Sequence, residues 1–548
     1  MTDDVHQEGL SRRELIEGAA AGAALAAGGG AFLATAGSAH ASGSKEGFDL
    51  CDGSRDIQLV NGKFIDYRGQ VASGLTIKDG RIVDLKGKSV GQCTLKINLK
   101  GRTVIPGMID AHVHFTRTGT NVGYETRWIE TAFSFAELFE VIAERAKTVP
   151  PGPPPEGGII TAQGGWTPLQ FAEARLPTLA ELDVAAPNHA VYLQGRTNSI
   201  GKAFFEANGI AVDPVTGQVS STGAVTTLLR SIQTFEDKVR GTQDVMDFAV
   251  ANGLTSCHDV SNLTIQPDDY AVQNALYHRR GRHLDVRMRH YQYMPDATPE
   301  ELATYMHPIF REAGDGAYRI NGVGEQISNS LAALEENLRQ VARHQWRMQQ
   351  HFGSPGNGSQ QAAAFVTVGT EFDITDLRWS WGHAGVVTEE EMQAVKSVGM
   401  GVTLTRGPAR AWIDSGIHAG GATDATNVSW LSPWFQIYFF VTRRNQQGNL
   451  VLDGQQISRL EALGLYTIGS AYFSREEDEL GSFEDGKLAD LAVLSDDFLT
   501  VPDEQLRKMR SNLTLQGGRI VHADGPFAKL APDKTQPYPD RYPESVEV

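Results

Sequence analysis

The stretch Val104-Ile105-Pro106-Gly107-Met108-Ile109-Asp110-Ala111-His112-Val113-His114 carries most of the information about the fold of this chain. It is typical of a short buried strand that ends in two histidines. Because alternate side chains of a strand point the same way, His112 and His114 lie on one face. If this is the first strand of a β/α barrel, both imidazoles lie at its C-terminal end, where barrel active sites lie, and both can bind one metal ion. Two exposed histidines on a half-buried strand are the alternative.

Short apolar strands alternate with helical stretches after this segment, which predicts βα units and a parallel sheet. Eight strand candidates fit a closed (β/α)8 barrel over residues 104–480, with an inserted subdomain at about 115–252 over its mouth. The candidates after the first are Gly253 to Asp259, Val286 to Tyr293, Tyr318 to Glu325, Trp346 to His351, Leu377 to His383, Gly401 to Leu404 and Gly416 to Asp424.

Both ends of the chain consist of short strand-like runs and tight turns. Asn61-Gly62 and Asp79-Gly80 are strong hairpin signals, and Gly80-Arg81-Ile82-Val83 recurs as Gly518-Arg519-Ile520-Val521. Because separate half-sheets would expose unpaired edges and bury little core, we expect residues 42–103 and 481–530 to form one small composite β-sandwich domain. The predicted fold class is therefore α/β, a TIM-like barrel with this domain beside it.

The N-terminus predicts export from the cytoplasm. Arg12 and Arg13 precede an Ala/Gly-rich stretch without a charge, which ends in Ala39-His40-Ala41. This layout is similar to a twin-arginine signal peptide over residues 1–41 and predicts a periplasmic or secreted protein. A buried helix is the alternative, but so much Ala and Gly would bury little apolar area.

Charge and composition exclude some classes of partner. The net charge of −17 gives a surface field that repels nucleic acid. The body of the chain has no apolar run long enough for a membrane-spanning helix. We predict a small-molecule substrate as partner, and the sequence leaves open whether the chain forms a homo-oligomer.

The three cysteines allow one disulfide at most. Cys51 and Cys93 could form it, while three free thiols, Cys257 included, fit the sequence equally well.

Three further side chains with metal-binding groups lie where predicted strands end. His351 ends the fifth strand, His383 ends the sixth, and Asp424 follows Gly420-Gly421-Ala422-Thr423 in the eighth. In a barrel, the C-terminal ends of all strands meet at one face. These three further candidate ligands favour a metal site at His112 and His114 over two exposed histidines that only happen to lie close in sequence.

With these residues in place, the chain resembles the amidohydrolase superfamily, and most closely its family 3, which includes N-substituted formamide deformylases and D-aminoacylase-like enzymes. The resemblance covers nearly all of the chain after the predicted signal. Besides the segment that ends in His114, it rests on Gly165-Trp166, Ala425 after Asp424, Ser432-Pro433-Trp434, Glu461-Ala462-Leu463 and the run from Gly481 to Asp490.

The resemblance implies a role for each ligand. His112 and His114 would bind the more buried metal ion, and His351 and His383 a second ion or the substrate carbonyl. Asp424 would bind metal and act as general base, passing the proton of the attacking water to the leaving amine. The implied cofactor is one or two divalent ions, with Zn favoured by ligand type and resemblance. The predicted function is hydrolysis of a non-peptide carbon–nitrogen bond in a small amide-like molecule.

Two departures from the family concern the metal and the substrate. In the fourth strand many relatives carry a lysine that is carboxylated to bridge two metals, whereas this chain has Glu325 at the end of that strand. We predict that Glu325 supplies the bridging carboxylate, the alternative being a cap of the next helix. After His351, a loop from Phe352 to Gly358 replaces the usual Ala-x-Gly-Asp, which leaves the substrate and the metal count open.

Three weaker candidates would bind substrate: His258, Arg406 and Trp166. Arg406 could clamp a carboxylate and Trp166 could stack on an apolar group. The alternatives are that His258 is satisfied by its neighbour, that Arg406 lies in a solvated loop and that Trp166 is a core aromatic.

Two rival functions also fit the sequence. The same centre could attack lactones or other carbon–oxygen esters, or the chain could be a non-catalytic binding protein with a degenerate site.

Overall fold

The structure, a computed structural model, describes residues 56–88, 94–260, 267–307, 312–426 and 429–536. The predicted signal peptide and the cysteines Cys51 and Cys93 lie outside these ranges. Cys257 is buried with a free thiol. Among the described helices, none combines the length and the apolar character that crossing a bilayer requires.

The described strands fall into an N-terminal group, a central group and a C-terminal group. They are β1 Ile57–Val60, β2 Lys63–Asp66, β3 Gly69–Ala72, β4 Leu75–Lys78, β5 Arg81–Asp84, β6 Leu95–Asn98, β7 Thr103–Pro106, β8 Met108–Val113, β9 Ile159–Ala162, β10 Ala190–Leu193, β11 Arg196–Thr197, β12 Leu254–Asp259, β13 Arg287–Gln292, β14 Tyr318–Val323, β15 Gln349–His351, β16 Ser380–Gly382, β17 Gly401–Leu404, β18 Ala419–Gly421, β19 Leu491–Leu494, β20 Ser511–Gln516 and β21 Arg519–Ala523.

Helices fill the connections of the central part and follow most of its strands. They span Phe115–Thr120, Phe135–Arg145, Leu179–Ala185, Ser199–Ala207, Thr222–Ile232, Phe235–Ala251, Pro267–Arg279, Pro299–Met306, Leu331–Arg343, Gly358–Glu371, Glu389–Ser397, Ala409–Asp414, Pro433–Thr442, Arg459–Gly464, Ser470–Tyr472 and Asp503–Leu506. Shorter helical turns span Arg127–Thr131, Pro168–Gln170, Leu465–Gly469 and Gly525–Leu530.

Local capping explains where the helix after β15 begins. Asn357 accepts a hydrogen bond from the Gln360 amide at 3.0 Å, and the Gln360 side chain accepts one from the Asn357 amide at 3.1 Å. This reciprocal pair satisfies two backbone donors that a helix N-terminus otherwise leaves unpaired. The loop from Phe352 to Gly358 therefore leads directly into the helix Gly358–Glu371.

Strands from both ends of the chain share one hydrophobic core. A four-stranded sheet has the order β5-β4-β1-β6, and a six-stranded sheet has the order β21-β20-β19-β7-β2-β3. A single cluster of buried side chains contains members from both sheets and from both chain ends, among them Ile57, Phe64, Ile77, Leu491 and Leu515. Neither end could bury these side chains without the other.

The central strands form two parallel four-stranded sheets in chain order, β8-β12-β13-β14 and β15-β16-β17-β18. Backbone contacts join the two sheets at both seams. Val323, the last residue of β14, forms a parallel bridge with Met348 before β15, and the Asp424 amide after β18 donates to the His112 carbonyl of β8 at 2.9 Å. Each predicted strand of the central part contains one of these eight strands. Most of their residues are buried, as is usual for parallel strands, although Tyr318, Arg319 and Ile320 in β14 are only partly buried.

The predicted strand from Val104 to His114 is two strands that belong to different sheets. β7 pairs with β19 and β2 in the six-stranded sheet, and β8 pairs with β12 in the parallel sheet. The change of sheet falls at Gly107, where a Cβ atom would lie 2.3 Å from the Thr255 hydroxyl oxygen. This close approach requires glycine and breaks the strand.

The segment between β8 and β12 contains a three-stranded sheet of its own, in the order β11-β10-β9. Its strands pack with nearby helices into two further apolar clusters, one of which contains Trp166 and Phe171. This is the segment that the sequence predicts to be inserted after the first barrel strand.

Candidate metal centre

Six side chains with metal-binding groups converge where the central parallel strands end: His112, His114, Glu325, His351, His383 and Asp424. Two subsets, His112–His114–Asp424 and His112–Glu325–His383, each have their ligand atoms within 4.8 Å of one another. These are the six residues that the sequence predicts as metal ligands, and they come from five different strand ends. The structure therefore brings the whole predicted ligand set to one place.

His112 and His114 form the buried side of the centre. Their exposed fractions are 0% and 4%, and both present Nε2 to the carboxylates of Glu325 and Asp424. His114 Nε2 lies 3.2 Å from an oxygen of each. His112 Nε2 lies 3.4 Å from Glu325 and 3.6 Å from Asp424 and makes no hydrogen bond. Both imidazoles therefore aim a ring nitrogen at the same small volume.

Glu325 lies between the two histidine pairs. Its Oε1 faces His114 at 3.2 Å, while its Oε2 lies 2.9 Å from His351 Nδ1 and 3.4 Å from the Nε2 atoms of both His383 and His112. Backbone hydrogen bonds fix the residue, since its amide donates to the Val260 carbonyl and its carbonyl accepts from the His351 amide. One carboxylate with an oxygen toward each histidine pair has the arrangement of a bridging ligand.

Asp424 is placed by a buried aspartate two residues before His112. The Asp110 carboxylate accepts hydrogen bonds from the amides of His112 and Thr423, both at 3.1 Å, and from the Thr423 hydroxyl at 2.5 Å. Asp424 itself has a left-handed backbone with φ of +53° and donates its amide to the His112 carbonyl. Asp110 therefore connects the strand that carries the histidines to the turn that carries the predicted base.

His351 and His383 form the more open side of the centre. Their side chains are 37% and 16% exposed, and that of Asp424 is 26% exposed. The His383 amide donates to the Thr403 hydroxyl at 3.0 Å, and the two imidazoles approach to 3.1 Å between ring nitrogens. The centre is therefore most open to solvent on the side of His351 and Asp424.

The charges of the centre compensate one another. Burial disfavours a charged imidazole, but the Asp424 and Glu325 carboxylates outweigh it and raise the pKa of His112 to about 10. Burial likewise opposes ionisation of Glu325, yet the surrounding histidines, His114 foremost, hold its pKa well below its usual range. Two ionised carboxylates among four imidazoles favour a positive charge between them.

Close packing holds the ring of His112 from the side of β16. A Cβ atom on Gly382 would lie 2.8 Å from Cε1 and 2.9 Å from Nδ1 of His112. Only glycine leaves room for the imidazole at this position. The ring nitrogen Nδ1 on that side is 2.6 Å from Gln349 Oε1.

None of the three weaker candidates belongs to the described metal-ligand groups or ion pairs of these six side chains. Trp166 is 5% exposed and packs in an apolar cluster with Phe171, as the core alternative predicts. His258 is fully buried without a hydrogen bond to either ring nitrogen, and burial lowers its pKa to about 3. Arg406 is exposed on the connection after β17.

Several polar side chains near the centre are absent from the sequence predictions. Gln349 and Asp110 each lie two residues before a predicted ligand, so strand alternation is the signal that identifies them. The Tyr293 hydroxyl donates to Gln326 Oε1 at 2.9 Å, and Gln326 donates to the Ser354 hydroxyl at 3.1 Å. Burial and the charge of Glu325 raise the pKa of Tyr293, so its phenol stays a hydrogen-bond donor at neutral pH.

Comparisons with known proteins agree with this geometry. A family model described as "Amidohydrolase family" matches residues 96–522. The N-substituted formamide deformylase of Arthrobacter pascens is 24% identical to this chain in an alignment that covers 83% of this chain and 96% of that relative.

Solved structures share the fold. A metal-dependent hydrolase from Pyrococcus horikoshii OT3 superposes with a TM-score of 0.54 at 19% identity, covering 82% of this chain and 99% of that chain. The atrazine chlorohydrolase of Arthrobacter aurescens TC1, solved in complex with zinc, has a TM-score of 0.51 at 15% identity and covers 88% of this chain and 96% of that chain.

The family match includes every one of the six converging side chains, from His112 to Asp424, and strands of both terminal groups. The prediction of an enzyme of the amidohydrolase type is thereby confirmed. The chain belongs to the amidohydrolase family.

Proposed function

We propose that this protein is an exported, divalent-metal-dependent hydrolase that cleaves a non-peptide carbon–nitrogen bond in a small amide-like molecule. The observation that carries the proposal is the position of the Glu325 carboxylate, whose oxygens contact both the buried pair His112 and His114 and the more open pair His351 and His383. Export is proposed from Arg12 and Arg13 and the uncharged stretch that follows them.

The proposed architecture is a closed (β/α)8 barrel with a composite β-sandwich domain. Support for closure comes from the backbone hydrogen bonds at the two seams between the parallel sheets. Support for the composite domain comes from the single apolar cluster that contains strands of both chain ends. Barrel enzymes place their active sites at the C-terminal ends of the strands, where the six converging side chains lie.

The residues present fit a divalent metal centre. His112 Nε2 is buried, makes no hydrogen bond and faces two carboxylates, so a cation between them would satisfy all three groups. We propose that His112, His114 and Asp424 hold one ion, and that Glu325, His351 and His383 hold a second with Glu325 shared. Imidazole and carboxylate ligands suit Zn, and also Mn, Fe or Ni.

A bound divalent cation lowers the pKa of a coordinated water from about 15.7 to about 7 and polarises the scissile carbonyl. Asp424 accepts the proton of the attacking water at a carboxylate oxygen and returns it to the leaving nitrogen. Burial opposes ionisation of Asp424, but His112 and His114 outweigh it and hold its pKa below its usual range, so the carboxyl is ionised at neutral pH. His351, the most exposed ligand, borders the space for the substrate carbonyl.

The substrate class follows from the chemistry of the site and from the relatives. The general base Asp424 suits an amine leaving group, which must gain a proton to depart. The relative aligned over nearly its whole length is named for removing formyl groups from N-substituted formamides. We propose N-substituted formamides and N-acyl amino compounds as the first substrates to test.

A panel of small molecules tests this proposal. Purified protein loaded with Zn or Mn is offered N-substituted formamides, N-acyl amino acids, cyclic amides and lactones, and release of amine or acid is measured. We expect turnover of at least one amide class and none, or much slower turnover, of lactones. Turnover confined to lactones would contradict the proposal and identify the protein as a hydrolase of carbon–oxygen bonds. No turnover by metal-loaded protein would support a non-catalytic binding protein.

A further inference from the structure

Gln349 makes two buried hydrogen bonds that connect a proposed metal ligand to the backbone of the neighbouring strand. The side chain is fully buried in β15. Its Oε1 lies 2.6 Å from His112 Nδ1, and its Nε2 donates to the Ala111 carbonyl at 2.7 Å. Ala111 directly precedes His112, so one amide group contacts both the ring and the backbone of the segment that carries it.

These two contacts determine which way the amide faces. A carbonyl oxygen can only accept, so the atom that faces Ala111 must be the NH₂ group of Gln349. The atom that faces His112 is then the amide oxygen, which can only accept. His112 Nδ1 must therefore carry the hydrogen, which leaves the lone pair of the neutral ring on Nε2.

A metal ion binds the neutral form of the ring. In that form the lone pair on Nε2 points toward the carboxylates of the centre. His112 Nε2 is the nitrogen that lies 3.4 Å from Glu325 and 3.6 Å from Asp424. On the Nδ1 side of the ring, Gly382 packs so closely that a Cβ atom built on it would lie within 3 Å of the imidazole. The imidazole therefore has little freedom to turn. Outer hydrogen bonds of this kind orient a metal-binding histidine and fix its tautomer.

We propose that Gln349 is a positioning residue that holds His112 in the tautomer and orientation needed to bind metal. The inference rests on the metal site of the proposed function. Gln349 does not touch substrate or metal in this account. It acts through His112 alone, and its loss should first affect how tightly the more buried ion is held.

Metal affinity separates this role from a merely structural one. Gln349→Leu keeps the size of the side chain and removes both hydrogen bonds, whereas Gln349→Glu keeps an acceptor for His112. Gln516→Leu is the matched control, because Gln516 is also buried and donates only to backbone carbonyls of Thr255 and Asp285. Each protein is stripped with a chelator and titrated with Zn against a chromogenic competitor, after its thermal unfolding has been recorded.

We expect Gln349→Leu to lose about 10- to 100-fold in Zn affinity at its tightest site, and Gln349→Glu to stay within about fivefold of the parent protein. Gln516→Leu should bind as the parent does, whatever its cost in stability. Equal affinity in Gln349→Leu and the parent would overturn the inference, as would a loss in Gln516→Leu as large as that in Gln349→Leu.

The glutamate variant keeps the test decisive if the leucine variant does not fold. In that case, affinity of Gln349→Glu within about fivefold of the parent supports the inference, and a loss of tenfold or more contradicts it. A parent protein that binds no Zn at all would instead refute the metal centre itself, so the two failures are distinguishable.

Discussion

Replacing Asp424 with asparagine is expected to lower kcat by about 10²- to 10⁴-fold on the best substrate of the panel. The amide of asparagine has nearly the shape of the carboxylate but cannot accept the proton of the attacking water at neutral pH. The fold should be retained, because the contacts that place this residue are made by its backbone amide and by Asp110 with Thr423. Steady-state kinetics on metal-loaded protein measure the effect.

A matched control is the exposed Asp496→Asn on the connection after β19, which should change kcat by less than about twofold. Retained turnover in Asp424→Asn, with Asp496→Asn equally active, would show that the general base lies elsewhere. Circular dichroism of both variants establishes that a loss of activity is not a loss of fold.

The second large effect is expected at a buried ion pair that holds the segment after Asp424. Arg127 and Glu130 are in contact and are 0% and 1% exposed. The Arg127 guanidinium donates to the carbonyls of Thr426 and Ser429 at 2.9 and 2.8 Å. The Glu130 carboxylate accepts from the amides of Leu431 and Ser432 at 2.9 and 3.1 Å.

Breaking this pair removes the only counter-charge described for the buried Glu130 carboxyl. Burial raises the pKa of Glu130 to about 7 even beside Arg127. We expect Arg127→Met to lower the free energy of unfolding by about 3–5 kcal/mol, because the carboxyl must then be buried either charged without a partner or protonated. Catalytic activity should fall as well, since both side chains bind the segment that directly follows Asp424, the proposed general base. Urea unfolding of the variant and the parent gives the stability difference.

An exposed pair provides the comparison for this variant. Lys202 and Glu206 form an ion pair on the surface of the helix Ser199–Ala207, with side chains 27% and 42% exposed. Lys202→Met removes the same charge and should cost about 0.5 kcal/mol or less. If Arg127→Met costs no more than Lys202→Met, the interior pair does not stabilise the fold as argued.

The sequence predicts much of the centre because its signal is local. Strand alternation identifies His112 and His114 as neighbours on one face, and each further ligand ends an apolar run. The sequence indicates Glu325 only through the position that a lysine occupies in relatives, and the structure places its carboxylate between the two histidine pairs.

Other features depend on contacts that no local pattern records. The break at Gly107 follows from the approach of Thr255, about 150 residues away along the chain. The burial of Trp166 follows from packing within the inserted segment, which aromatic composition alone cannot distinguish from a substrate platform. The partners of Arg127 lie about 300 residues further on, so only the folded chain reveals them.

The metal content of protein purified without chelators tests the proposed centre directly. We expect about one to two transition-metal ions per chain, with Zn favoured, and loss of at least one ion in Glu325→Gln, whose amide cannot bridge the two histidine pairs. Inductively coupled plasma mass spectrometry gives the stoichiometry. Absence of stoichiometric transition metal, with no binding and no gain of activity on adding Zn or Mn, would contradict the account.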